Sequence, residues 1–350
     1  MLRSLLCLLA LLGLTACVDP PAGGATGDTA LYAYDDASRV VYRWSDLPGA
    51  FTAGSLPTPT TTLSTSFFDA VTPLAWGGMA MDTTRNRLYL VGEAGDVVRL
   101  DRVRNLSGSV ASADVVPFKL DTSQRYTNSK FGQAALDAST DTLYVTESGD
   151  NGTRIWVVSG ASGRTANTTV SLQALQISGD TGGYGVAAAQ GLVYGSFQNG
   201  DAVGIDSLTG PRLRKGSSGA FLPASVLLGD LTGLGKYATL ALDTSNNLLF
   251  AGMSLADDSS VSVPVVVFRA GQFGGVFNQA PNTTLDTGKG LGDLRVLAHP
   301  GNKDWLAGLS GTAGPTVALW KSPSGSASTY LALSGPSGAQ LKGLALDGNP

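Results

Sequence analysis

Leu341-Lys342-Gly343-Leu344-Ala345-Leu346-Asp347 reads as the opening strand of a repeat with no continuation, because the sequence ends three residues later. Better-developed copies show what should follow it. Gly78-Met79-Ala80-Met81-Asp82 leads through a polar turn to Arg87-Leu88-Tyr89-Leu90-Val91 and, past Gly95-Asp96, to Val97-Val98-Arg99-Leu100. Gln133-Ala134-Ala135-Leu136-Asp137 leads to Thr142-Leu143-Tyr144-Val145 and then to Arg154-Ile155-Trp156-Val157-Val158. Ala238-Thr239-Leu240-Ala241-Leu242-Asp243 leads to Leu248-Leu249-Phe250-Ala251 and later to Val265-Val266-Val267-Phe268. Each copy is a small-residue strand ending near Asp, a tight turn, a Leu-aromatic strand, a loop and a β-branched strand, which is the punctuation of hairpin-linked strands.

Two weaker copies keep the same order, one beginning at Gly185 and the other at Leu294. A fourth short strand is expected after each copy, at Asp114 to Phe118, Thr168 to Leu172, Val226 to Leu228, Thr283 to Leu285 and Tyr330 to Leu333. Successive copies start about 50–55 residues apart, the spacing of four-stranded propeller blades. At the front of the chain, Ala30 to Tyr34 matches a second strand, Val40 to Trp44 a third and Thr60 to Leu63 a fourth. The strand missing at the front is the strand left over at the back. The expected fold is therefore all-β: a six-bladed β-propeller of four-stranded antiparallel blades over residues 29–350. Its ring is closed by residues 341–347 pairing with the N-terminal strands, so that no blade keeps an open edge.

No Gly-His…Trp-Asp pattern is present, which argues against the WD40 group. The Leu-Tyr strand followed by an Arg-Ile or Val-Val strand resembles the NHL, YWTD and SMP-30-like group of six-bladed propellers. The resemblance covers the whole region after residue 28 and rests on packing signatures. Small residues such as Gly78, Ala80, Ala134, Ala135, Gly185, Ala187 and Gly343 suit first strands crowded at an axis, and the bulky Leu-Tyr strands suit the wider space between blades.

The first residues carry an address. Arg3 precedes an apolar stretch from Leu5 to Leu14, too short to span a bilayer but suited to a signal-peptide core. It ends in Leu14-Thr15-Ala16-Cys17, which resembles the bacterial lipobox. That resemblance implies a lipoprotein signal peptide over residues 1–16, a lipidated Cys17, and a Pro/Gly-rich flexible tether over 17–28. It also implies export and lipid anchorage to a bacterial membrane. Val18 after the Cys favours the outer membrane, on its periplasmic side or at the cell surface. The only other cysteine, Cys7, lies in the signal, so the domain is expected to have no disulfide and no Cys-ligated metal.

The net charge is −4 and charged residues make up 14% of the chain, without a Lys/Arg cluster, so no nucleic-acid partner is expected. In propellers of the group resembled, loops from a fourth strand to the next first strand and from a second to a third form the usual ligand face. Acidic residues recur in those loops: Glu93 and Asp96, Glu147 and Asp150, Asp201, Asp257 and Asp258. They read either as turn formers or as a carboxylate ring for Ca²⁺, the ion that SMP-30-like lactone hydrolases use. Trp76, Tyr126, Phe131, Tyr184 and Tyr237 on the same loops read either as a stacking platform or as plugs between blades. The single histidine, His299, stands where other first strands have Asp and reads as a turn residue, as do Asp82, Asp137, Asp243 and Asp347. No catalytic set, Walker loop or Gly-x-Ser-x-Gly elbow stands in a suitable context. The expected function is a non-enzymatic, membrane-anchored binding or assembly platform for an envelope protein or glycan, without a required cofactor. The alternative is a Ca²⁺-dependent hydrolase using Glu93 and Glu147. The ligand-face candidates are Trp76, Glu93, Tyr126, Glu147, Asp150, Tyr184, Asp201 and Tyr237.

Overall fold

The computed structural model describes residues 29–150, 152–171, 173–176, 185–199, 202–207, 236–254, 265–269, 283–285, 294–310, 316–325 and 328–349. These form six sheets. The first joins Ala30–Asp35, Val40–Trp44 and Thr61–Ser64 to Leu341–Asp347, which forms its innermost strand. The second runs Leu74–Asp82, Arg87–Gly92, Asp96–Asp101, Val115–Leu120. The third runs Lys130–Asp137, Thr142–Gly149, Gly152–Ser159, Gln173–Gln176. The fourth holds Val186–Ala189, Leu192–Asn199 and Ala202–Ser207. The fifth holds Lys236–Asp243, Leu248–Ser254, Val265–Arg269 and Thr283–Leu285. The sixth holds Leu294–Ala298, Trp305–Ser310, Thr316–Lys321 and Thr329–Ser334.

Two expectations need correction. The described residues build five blades with a full set of four strands, not six, because the fourth sheet has three. The outer strand expected for it at Val226 to Leu228 lies outside the described residues. In the third sheet the fourth strand is Gln173–Gln176, whereas the expected segment Thr168 to Leu172 does something else. Its Thr169–Val170 part pairs in parallel with Lys119 and Leu120 on the outer strand of the second sheet. Gly108–Ser109 covers Leu63 and Ser64 of the first sheet in the same way. A short two-residue strand is enough to occupy edge groups that would otherwise invite another chain.

The pairing of the chain's ends is direct. Leu31↔Leu346, Tyr32↔Ala345 and Ala33↔Leu344 are opposite one another in an antiparallel ladder. Leu344 and Leu346 are buried with Leu31, Ala33 and Trp44 against Val296, Leu309 and Val317 of the sixth sheet. On the other side Tyr32, Tyr34 and Ala345 pack with Met79, Leu88 and Leu90 of the second sheet. Crowding at the inner strands explains the small residues read there. A Cβ on Gly78 would lie 2.5 Å from the Val91 carbonyl oxygen, and one on Gly343 would lie 2.6 Å from Met79 Sδ.

The aspartates that end first strands do form turns, and they also reach to neighbouring sheets. Asp137 accepts from the Ser139 N–H and from the Gln190 and Gly191 N–H groups of the fourth sheet. Asp347, fully buried, receives Arg104 Nε at 2.6 Å and Nη2 at 2.8 Å from the second sheet's side. Removing one partner of a buried ion pair leaves the other charge uncompensated. Arg104→Ala is therefore expected to lower the unfolding free energy by roughly 3–5 kcal/mol, read as a shifted midpoint in urea titration. A change within about 0.5 kcal/mol, as at an ordinary surface site, would contradict this assignment.

His299 caps a turn as expected, accepting from the Gly301 N–H at Nδ1 over 3.0 Å. Its ring is also sealed between the fifth and sixth sheets. It is 1% exposed, stacks on Phe250 at 5.5 Å and faces Asp243 Oδ2 at 3.6 Å through Nε2, too far for a hydrogen bond. Burial lowers its pKa to about 4, against the opposing pull of Asp243 and then Asp304. The folded protein thus holds a neutral imidazole while the unfolded chain takes up a proton near pH 6.5. Stability should be unaffected by this group above that pH and fall as the pH drops from about 6.5 towards 4, by on the order of 3 kcal/mol. Thermal melts across that window should show a flatter decline for His299→Asn than for the wild type, and parallel curves would refute the assignment.

Candidate functional site

Glu147 lies on Thr142–Gly149 beside a register shift between Val145 and Glu147, the kind of bulge that re-aims a side chain. Its carboxylate is fully buried. It accepts from the Tyr126 N–H at 2.8 Å, from the Trp156 indole N–H at 2.6 Å and from the Ser129 hydroxyl. Arg154 Nε stands at 3.0 Å and Arg125 Nε at 4.0 Å. The Arg154 guanidinium lies 3.6 Å from the Tyr126 ring centroid and 4.9 Å from that of Trp156, and Arg125 lies over Phe131 at 5.0 Å. One carboxylate thus faces two guanidinium groups and three neutral donors. Its acceptor sites are taken up by the protein, which ties the inter-sheet loop 121–129 to the third sheet.

The other candidates fall into two neighbourhoods. Glu93 pairs with Lys130 Nζ at 2.7 Å, and the Phe131 N–H donates to the Glu93 carbonyl, so Glu93 adjoins the same cluster. Asp150 accepts from Asn128 Nδ2 at 2.9 Å on the loop that carries Tyr126. Trp76 lies apart, near the start of Leu74–Asp82, with the Arg295 guanidinium of the sixth sheet 5.3 Å from its ring centroid. Tyr126 and Trp76 therefore each present one ring face to an arginine. Cys17, Tyr184 and Asp201 lie outside the described residues; Tyr237 is placed only by its backbone, in Lys236–Asp243. Among the described residues no group of three or more His, Cys, Asp or Glu is arranged to hold a metal ion. No helix among them is long and apolar enough to cross a membrane.

Glu147 and Glu93 looked alike in the sequence, yet their surroundings assign them opposite weights. Glu147→Ala should cost roughly 3–5 kcal/mol by stranding buried guanidinium charge. Glu93→Ala removes a pair whose lysine is 70% exposed and should cost under about 1 kcal/mol. Chemical denaturation of the two variants side by side checks this; equal losses would show that the knot around Glu147 is not an energetic unit.

A residue the sequence did not single out occupies the axis. Gln133, 4% exposed on Lys130–Asp137, extends its carboxamide to the inner edges of three other sheets. Nε2 donates to the Leu240 carbonyl at 2.8 Å and, at 3.5 Å, to that of Leu297. Oε1 accepts from the Val186 N–H at 3.1 Å and the Leu240 N–H at 3.0 Å. First strands have one edge turned away from their own sheet, and those backbone groups need partners. A single amide, with two donors and an acceptor oxygen, serves three sheets at once. The available signal was a Gln at the start of a repeat where other copies have Gly78, Gly185 and Gly343. Beside Gln133 the inner strands enclose an axial cavity of about 110 Å³, which reaches Thr83 and Pro300 at the end of the Asp turns. That end is opposite to the expected ligand face.

A chain in the crystal structure of a nidogen/laminin complex superposes with a TM-score of 0.58 at 14% identity, covering 91% of this chain and 98% of that one. The fold is a β-propeller. A chain of the mitotic checkpoint complex aligns over 72% of this chain and 63% of its own length, at 14% identity and TM-score 0.40. A chain in the crystal structure of Chaetomium thermophilum Raptor aligns over 71% and 20%, at 14% identity and TM-score 0.42. No family model matches the chain, and no curated protein matches it.

Proposed function

We propose that this propeller is a binding platform held at a bacterial cell envelope by lipid on Cys17, and that it engages a protein or glycan partner through its loop face. The observation that carries this reading is the whole-length likeness to a propeller that sits in a nidogen/laminin complex, where a chain of this shape is part of a protein assembly. The loop face suits such a role physically. Glu147, Arg154 and Arg125 hold the 121–129 loop in place, and a pre-ordered loop loses less entropy on binding. Six blades closed into a ring form part of the proposal. Its support is the neighbour sequence of first strands, in which Leu341–Asp347 adjoins both Leu74–Asp82 and Leu294–Ala298. Val186–Ala189 stands between Lys130–Asp137 and Lys236–Asp243, where a sixth blade belongs.

Two measurements test the halves of this reading. Cells grown with labelled palmitate should incorporate label into the wild-type chain and sediment it with membranes, and Cys17→Ser should abolish both. A variant that keeps label and membrane association would refute the anchor. For the platform, a photo-reactive residue at exposed Gln124 in the loop should yield a discrete adduct in intact cells, while one at exposed Ser107 on the rim should not. Adducts from neither position, or from Ser107 alone, would overturn the choice of face.

A further inference from the structure

The axis repeats its chemistry one layer further on, without a glutamine to use it. On the fourth and fifth sheets, the backbone groups that Gln133 engages are the Val186 N–H and both the N–H and C=O of Leu240. In an antiparallel ladder, residues two apart turn their N–H and C=O to the same edge. Neither strand has a register shift over the next residues, since Val186 to Ala189 and Thr239 to Asp243 pair without interruption. Ala188 and Leu242 therefore aim the same array into the axis. Two residues beyond Gln133 stands Ala135, which offers only a methyl group. These three residues, with Met81, Ala298 and Leu346, line the axial cavity.

We propose that this second layer is a carboxamide-binding site, open from the Asp-turn end, for a primary amide or a peptide group presented by a partner segment. The chain's own Gln133 is the precedent, because its amide is bound by the equivalent groups in the first layer. A carboxamide supplies a donor and an acceptor together and so matches the N–H and C=O of Leu242 and the N–H of Ala188 simultaneously. A carboxylate offers no donor for the Leu242 carbonyl, and a ketone offers none either. The surrounding walls are small and apolar, and the methionine can adjust to what enters. A ligand that reproduces the hydrogen bonds of displaced water is retained, and one that cannot is penalised. This site deepens the binding-platform reading and rests on it for its purpose, adding a second, narrower contact on the face opposite the loops.

The probe is acetamide, titrated into the isotope-labelled protein while backbone amide resonances are followed, with acetate and acetone as near-isosteric controls. Saturable shifts at Ala188 and Leu242 with acetamide, and their absence with both controls, are the expected result. No saturable shift, or equal shifts with either control, would overturn the site while leaving the loop-face platform untouched. Ala135→Gln provides the second arm: the chain's new amide should fill the layer and abolish the acetamide shifts. A folded Ala135→Gln protein that still bound acetamide there would also overturn it. Should that variant fail to fold, the wild-type titration alone decides.

Discussion

The ladder between Ala30–Asp35 and Leu341–Asp347 is the contact on which the remaining packing depends. Every other first strand enters its sheet through a hairpin with the strand that follows it, a local event. This one joins residues from the two ends of the described chain, reinforced by the Gln340 N–H donating to Asp35 at 2.8 Å and the Asp36 N–H donating to the Gln340 carbonyl at 3.0 Å. The entropy of closing so long a loop grows only with the logarithm of its length, so the separation is not prohibitive. Its consequence is geometric. With Leu344 and Leu346 in place, the cores on either side of the first sheet have a wall; without them, Met79 on one side and Val296 on the other would face water.

Sheets that radiate from an axis leave two kinds of unpaired backbone, at the rim and at the centre, and this chain treats them differently. At the rim, the first and second sheets each borrow a short parallel strand from the connection between the third and fourth strands of the next sheet. The corresponding connection in the first sheet carries the helix Leu47–Ala53, whose Phe51 meets Trp305 of the sixth sheet edge to face at 5.4 Å. In these three repeats the same stretch is thus used to cover a neighbour. At the Asp-turn end, Asp137 and Asp347 bind groups from an adjacent sheet as well as their own turn, so the turns double as fasteners between sheets.

What the sequence made legible were features that repeat. The continuous apolar runs Leu88-Tyr89-Leu90 and Leu143-Tyr144-Val145, with an Asp closing the strand before, mark strands because a ladder buried on both faces imposes that pattern on each copy. The leftover strand Leu341–Asp347 was legible for the same reason. The fourth strand of the third sheet was misplaced because Thr168 to Leu172 has strand composition and does pair, but with a neighbouring sheet; composition reports that a segment forms a strand, not which edge it joins. At the loop face, Glu93 and Glu147 have the same residue type at comparable places in consecutive repeats. Only the bulge at Val145 to Glu147, and the partners Trp156 and Arg154 supplied by the next strand, separate a buried knot from a surface pair.

Gln133 was illegible for a deeper reason. Its partners are main-chain groups, which every residue possesses, so nothing in the identities of Val186, Leu240 or Leu297 announces them. What fixes the interaction is the position of a polar side chain on an inner strand at a level where other repeats have glycine. A propeller axis is a place where free strand edges converge while side chains must stay small, so polarity there comes from the backbone and its satisfaction from whatever enters. One glutamine entering from the third sheet satisfies three sheets and divides the axis into a loop-side and a turn-side part. The division follows from where a single side chain branches off the strand; with an alanine at 133, as at 135, the cavity would extend past the first layer and the edges of Val186 and Leu240 would share one solvent-reachable channel with those of Ala188 and Leu242.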